Sequence, residues 1–166
     1  MEYPLNLQIV AATALVPLVV GFLWYNPKTF ANAWMKAAGI TPEHVKGSNM
    51  LVIFGLTLLF GVMASIVLSG IAVHQASFYA LLQPEGGVTI AGNEEDYKMI
   101  MEKYGKSFRS FGHGALHGVI VSLFFVLPVL GTNALHERKG FKYIAINVGY
   151  WVVSLAIMGG IISRYA

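Results

Sequence analysis

No cysteine occurs in the 166 residues. That absence removes disulfides, thiolate metal centres, iron–sulfur clusters and covalent c-type haem attachment. Charge is also scarce. Asp, Glu, Lys and Arg make up 11% of the chain, where a soluble domain carries about 25%. The formal net charge is +3 and the basic residues form no long run, so the chain lacks the electrostatic footprint of a nucleic-acid binder and no nucleic-acid partner is expected. There is no Ser/His/Asp set, no Gly-rich phosphate loop and no acidic pair at bilayer depth. No catalytic residue is assigned, no cofactor is expected from any motif, and the protein reads as a non-enzyme.

Apolar residues take the place of charge. They make up 56% of the chain and mean hydropathy is +0.63. Most fall in four stretches: Leu5 to Tyr25, Leu51 to Val73, Ala115 to Leu130 and Tyr143 to Ile162. A helix needs about 20 apolar residues to cross the roughly 30 Å hydrocarbon core. Three stretches meet that length, and the third does so with the small residues ahead of it. The fold class is all-α: a polytopic membrane protein, one domain over 1–166, with spans at about 5–25, 51–73 running on to 82, 112–130 and 143–162. Residues Met1 to Asn6 carry Glu2 and no Lys or Arg, and the first stretch ends without a small-residue cleavage site, so it reads as a span rather than a signal peptide.

Local signals add detail. Pro17 predicts a packing kink in the first span. Phe30, Trp34 and Ala38 recur at helical spacing ahead of Gly39, predicting a short interfacial helix with a glycine cap. Thr41-Pro42-Glu43 predicts the start of another. The second apolar stretch continues through His74 and Gln75 to Leu82 before Pro84-Glu85-Gly86-Gly87, a helix of about 32 residues and roughly 48 Å. In the second loop, Asn93 is the expected N-cap, with Glu94, Glu95 and Asp96 in the first turn. Tyr97, Ile100, Met101 and Tyr104 form the apolar stripe of an amphipathic surface helix, with a bend at Gly105 leading into the third span. The third span is expected to end at Pro128, Gly131 and Asn133. Gly61, Ser65 and Ser69 on the second span, and Gly114, Gly118 and Ser122 on the third, make small-residue faces for close approach, within the chain or between copies. Asn147 inside the fourth span is expected to face the bundle and bond another helix.

Loops one and three share a side, and the tight Arg138-Lys139-Lys142 cluster favours a cytoplasmic position for them. Both termini then lie outside.

Gly112-His113-Gly114-Ala115-Leu116-His117-Gly118 is the sharpest constellation. His113 and His117 share a helix face at the spacing of two imidazoles on one metal ion. Spans two and three run antiparallel, so His74 belongs to the same membrane side. His74, His113 and His117 are candidate metal ligands, with Asp96 or Glu95 as further oxygen donors. His74 with His117 as axial ligands of a b-type haem is a second possibility. A third has the imidazoles bonding lipid, water or backbone at headgroup level while the glycines serve helix packing, and the sequence favours that plainer reading.

Three segments together carry a resemblance. They are Trp24-Tyr25-Asn26-Pro27-Lys28 with Trp34-Met35-Lys36 downstream, the Gly112 to Gly118 run, and Leu127-Pro128 through Asn133-Ala134-Leu135 to Glu137-Arg138-Lys139. The chain resembles a family of small bacterial membrane proteins known as domain of unknown function 1761, over nearly its whole length. The resemblance implies a four-helix protein of the bacterial inner membrane and implies no activity.

The function expected on these grounds is structural or accessory, in the lipid bilayer, as a homo-oligomer or a small subunit of a larger membrane complex. A small-solute or lipid transporter or channel, and a histidine-based metal or haem site at the outer interface, are the alternatives. No charged residue occupies the middle of any span, which weighs against coupled transport.

Overall fold

A computed structural model describes residues 4–41, 43–44, 47–83 and 92–166. Every regular element among them is helical. Four helices are long and apolar enough to cross a membrane: α1 (Leu7–Trp24), α3 (Met50–Ala72), α6 (Phe111–His136) and α7 (Phe141–Tyr165). Three shorter ones lie between them: α2 (Ala31–Ala38), α4 (Gln75–Leu81) and α5 (Asn93–Tyr104). The outer surface shows why lipid is the solvent. Phe22, Leu51, Phe124 and many other large apolar side chains are exposed, a surface that water would not tolerate but hydrocarbon does. Four crossings leave both chain ends on one face.

α7 is the hub. Half of its apolar window, 50%, is buried within the protein, against 28% for α1 and 17% each for α3 and α6. Its closest partner is α6. A methyl group on Gly114 would strike the Gly159 carbonyl, and one on Gly118 would strike the Leu155 carbonyl. Ser122 Oγ donates to the Gly118 carbonyl at 2.8 Å and contacts the Trp151 carbonyl at 3.2 Å. The Gly114, Gly118, Ser122 face is therefore consumed inside the chain. So is the other one. Gly61 lies against the Ala14 backbone, and Ser65 Oγ is 3.0 Å from Thr13 Oγ1 in a buried contact between α3 and α1.

Pro17 acts where expected. It removes the N–H that would bond the Thr13 carbonyl. The chain tightens into a 3₁₀ turn at Thr13–Leu15, and Val16 N–H takes that carbonyl instead. The Pro17 carbonyl accepts from Tyr150 Oη at 2.9 Å. Asn147 also behaves as anticipated. Its Oδ1 accepts from Tyr25 Oη at 3.0 Å, linking α7 to the end of α1, while its Nδ2 donates to the Tyr143 carbonyl.

Three local expectations need correction. The second apolar stretch is not one helix. α3 stops at Ala72, Val73 is extended (φ −118°, ψ 96°), and α4 restarts at Gln75. The stop expected at 84–87 lies outside the described residues. The third span does not end at Pro128, Gly131 and Asn133. A π-helical turn at Ser122–Val126 precedes Pro128, with the Leu127 N–H bonding the Ser122 carbonyl. That widened turn lets the helix continue through the proline. It ends after His136, where Arg138 takes φ 56°, its N–H bonds the Leu135 carbonyl and the Lys139 N–H bonds the Ala134 carbonyl. This is a Schellman closure built on arginine where glycine is usual. Finally, Asn93 does not cap α5. Gly92, at φ 92°, holds the cap position, and the Asn93 amide donates to the Leu82 carbonyl at 3.0 Å.

The surface helices dock on protein. α2 closes at Gly39 (φ 73°), and Lys139 Nζ donates to the Ala38 carbonyl at its end, joining loops one and three. Trp24 Nε1 donates to the Ile146 carbonyl, and Tyr25 packs edge-on to Trp34. α5 lies beside α4 with Tyr97 buried and edge-on to Tyr79. The predicted start of a second short helix in loop one includes Pro42, outside the described residues.

Candidate metal centre

The break after Ala72 sets up the site. Leaving the α3 axis at Val73 lets the chain turn, and His74 becomes the residue just before α4. Gln75 is buried, and its Nε2 donates to the Tyr104 and Ser107 carbonyls at 2.8 and 2.9 Å. Those bonds hold the segment after α5 over the end of α3. α6 then begins with a true cap, Ser110 Oγ accepting from the His113 N–H. His113 and His117 follow on its first two turns.

The three rings meet. His74 Nε2 is 3.0 Å from His113 Nε2, and His117 Nε2 is 3.1 Å from the same atom. One ligand nitrogen from each ring lies within 4.8 Å of both others. Ring centroids are 4.6 to 5.2 Å apart and the rings are steeply tilted to one another. Phe108 forms one wall, edge-on to His74 at 5.9 Å and 5.0 Å from His113. Its φ of 61° is unusual for a bulky side chain and stores backbone strain. The turn is kept by its carbonyl, which accepts from the Ser110 N–H at 2.9 Å and from Ser163 Oγ at 3.2 Å.

Chemistry limits how such a cluster can be satisfied. A neutral imidazole nitrogen carries either one proton or one lone pair. His113 Nε2 faces two other ring nitrogens, so a single proton cannot make two good hydrogen bonds there. A cation resolves the conflict by taking all three lone pairs. Zinc–imidazole bonds are about 2.0–2.1 Å, which puts nitrogens of a tetrahedral site about 3.3 Å apart. The two observed separations are close to that. Three imidazoles without thiolate suit zinc, copper, nickel or iron.

All three histidines singled out from sequence are brought together here. Glu95 and Asp96 are not. Both are exposed on α5, and the group that converges among the described residues is His74, His113 and His117 alone. The haem alternative also meets an obstacle. A porphyrin between His74 and His117 would have to occupy the space that His113 Nε2 fills, 3.0 and 3.1 Å from the two. Sequence reasoning missed Gln75, Phe108 and Ser163. Gln75 had a signal, since His74-Gln75 is a polar pair inside an apolar run. Phe108 had none, because phenylalanine does not advertise a left-handed turn.

Fold and site together define a four-span helical membrane protein with a three-histidine cluster at one surface. A family model described as "Protein of unknown function (DUF1761)" matches residues 8–163, and the chain belongs to that family. No curated protein and no solved structure matches it.

Proposed function

We propose that this membrane protein binds a first-row divalent transition-metal ion through His74, His113 and His117 at one surface of the bilayer. Three protein ligands leave a fourth tetrahedral position open, the arrangement of sites that accept an exogenous ligand. The activity proposed is binding, not catalysis. The observation that carries it is the convergence of three ring nitrogens from two separate segments on one point. Titration of chelator-stripped protein with Co²⁺ tests it. A tetrahedral visible spectrum saturating at one ion per chain, and lost in His113→Ala, is expected. No spectrum, or one unchanged in that variant, overturns it.

A second reading is that the chain also serves as an accessory subunit or homo-oligomer. It is supported by α3, whose apolar outer side is broadly exposed and where Gly55 and Gly70 have open space beside them. With both small-residue faces spent internally, such contact would use this side. A strictly monomeric particle extracted from native membranes in mild detergent, with no copurifying protein, counts against it. We place the protein in the bacterial inner membrane with both termini outside, on the strength of the Arg138-Lys139-Lys142 cluster in a short loop.

A further inference from the structure

Below the three histidines, the seam between α3 and α6 opens into a groove of about 400 Å³ with α7 as its floor. That volume lies in the range of about 300–1,000 Å³ typical of ligand sites. The lining is apolar throughout. In steps of four the lining takes Met63, Val67 and Ile71 along α3, and Val129, Phe125 and Val121 in reverse along α6. Beyond Val121 the next step of four on α6 is His117, and on the other wall His74 follows Ile71 by three residues, across the break at Val73. The groove is thus a continuation of the metal centre's own seam. His117 and Val121 are one turn apart on a shared face. A four-residue step overshoots an α-turn by about 40°, and the wider π turn at Ser122–Val126 takes up that overshoot, keeping Phe125 on the same seam. π turns inside helices often mark functional sites.

Charge says what belongs at the upper end. Three neutral imidazoles leave a divalent ion with its full positive charge. Arg109, next in sequence to Phe108, is engaged elsewhere, its Nη2 donating to the Ala166 carbonyl at 2.7 Å, so the ion is itself the cation that an incoming head group meets. An anionic oxygen donor is the complementary head. We propose that the open coordination position takes the carboxylate of a long-chain fatty acid whose hydrocarbon chain lies in the α3–α6 groove. This rests on the metal reading above. It makes the centre a receptor for a membrane amphiphile rather than for a water-borne anion.

The test uses full-length protein loaded with Co²⁺ in lipid nanodiscs, with acetate and hexadecanoate as probes and the visible spectrum of the ion as readout. Hexadecanoate is expected to shift the spectrum at concentrations at least 100-fold below those acetate needs. Val121→Trp, filling the groove, should erase most of that difference while leaving Co²⁺ binding and the acetate response intact. Val67→Trp, on the opposite wall, is the second variant should the first fail to fold. Equal potency of the two probes overturns the proposal with the metal reading left standing. An advantage for hexadecanoate that survives both substitutions also overturns it, since bulk partitioning would then explain the effect. Failure to bind Co²⁺ at all removes the metal reading, and the proposal with it.

Discussion

His74, just before α4, and His113, in the first turn of α6, are 39 positions apart, yet their Nε2 atoms lie 3.0 Å from one another. Antiparallel packing alone would bring them only to the same leaflet. The contact needs the interruption at Val73, which turns His74 off the α3 axis, and the Gln75 bonds that hold the next segment in place.

Protons and a cation compete for the same lone pairs, because imidazole binds metal in its neutral form. Affinity for Co²⁺ is therefore expected to fall as the solution is acidified, by up to about tenfold per pH unit for each ring that must lose a proton, and to level off at alkaline pH. Titrations at a series of pH values check this. Affinity independent of pH would exclude imidazole ligation.

The α6–α7 contact admits no side chain at Gly118. Gly118→Ala drives a methyl into the Leu155 carbonyl, and because the obstacle is backbone, the helices must separate. A loss of about 1–3 kcal/mol is expected from such overpacking. Gly112→Ala, with open space around it, serves as the control and should be nearly neutral. Thermal unfolding in detergent distinguishes the two, and equal melting temperatures would contradict the close approach.

Thr13 and Ser65 join α1 to α3 through hydroxyls 3.0 Å apart. Polar contacts between membrane helices couple by about 0.6 kcal/mol on average, with about 1.7 at the upper end. A double-mutant cycle of Thr13→Val and Ser65→Ala should return a coupling in that range. Strict additivity would mean that the hydroxyls ignore one another.

Orientation is accessible because the chain has no native cysteine. Single cysteines at Asn93 and Lys139 lie in loops on opposite sides. An impermeant thiol reagent added outside should modify the position in loop two and spare the one in loop three. Labelling of Lys139→Cys alone would reverse the topology.

Much of the architecture was legible in the sequence. The hydropathy pattern located all four spans, the repeats of small residues marked the two faces of closest approach, and the pairing of Asn147 with a neighbouring helix followed from the cost of an unbonded amide in hydrocarbon. Helix ends were less legible. Pro128, Gly131 and Asn133 are each a stop signal in water, yet α6 passes through all three. The π turn absorbs the proline, and an apolar solvent penalises any unpaired backbone group more than it penalises a poor helix former. Arg138 ends the helix in a conformation its side chain does not announce.

Membrane insertion is decided residue by residue between chain and lipid, so composition along the sequence was enough to count the crossings and to assign His113 and His117 a common face. Whether a third imidazole would join them depended on which helix stands beside which and on a two-residue break followed by Gln75, whose side chain bonds carbonyls 29 and 32 residues away. Only the packed structure supplies those neighbours. The choice of α7 as the central helix, the meeting of three ring nitrogens and the apolar seam beneath them all belong to that packing.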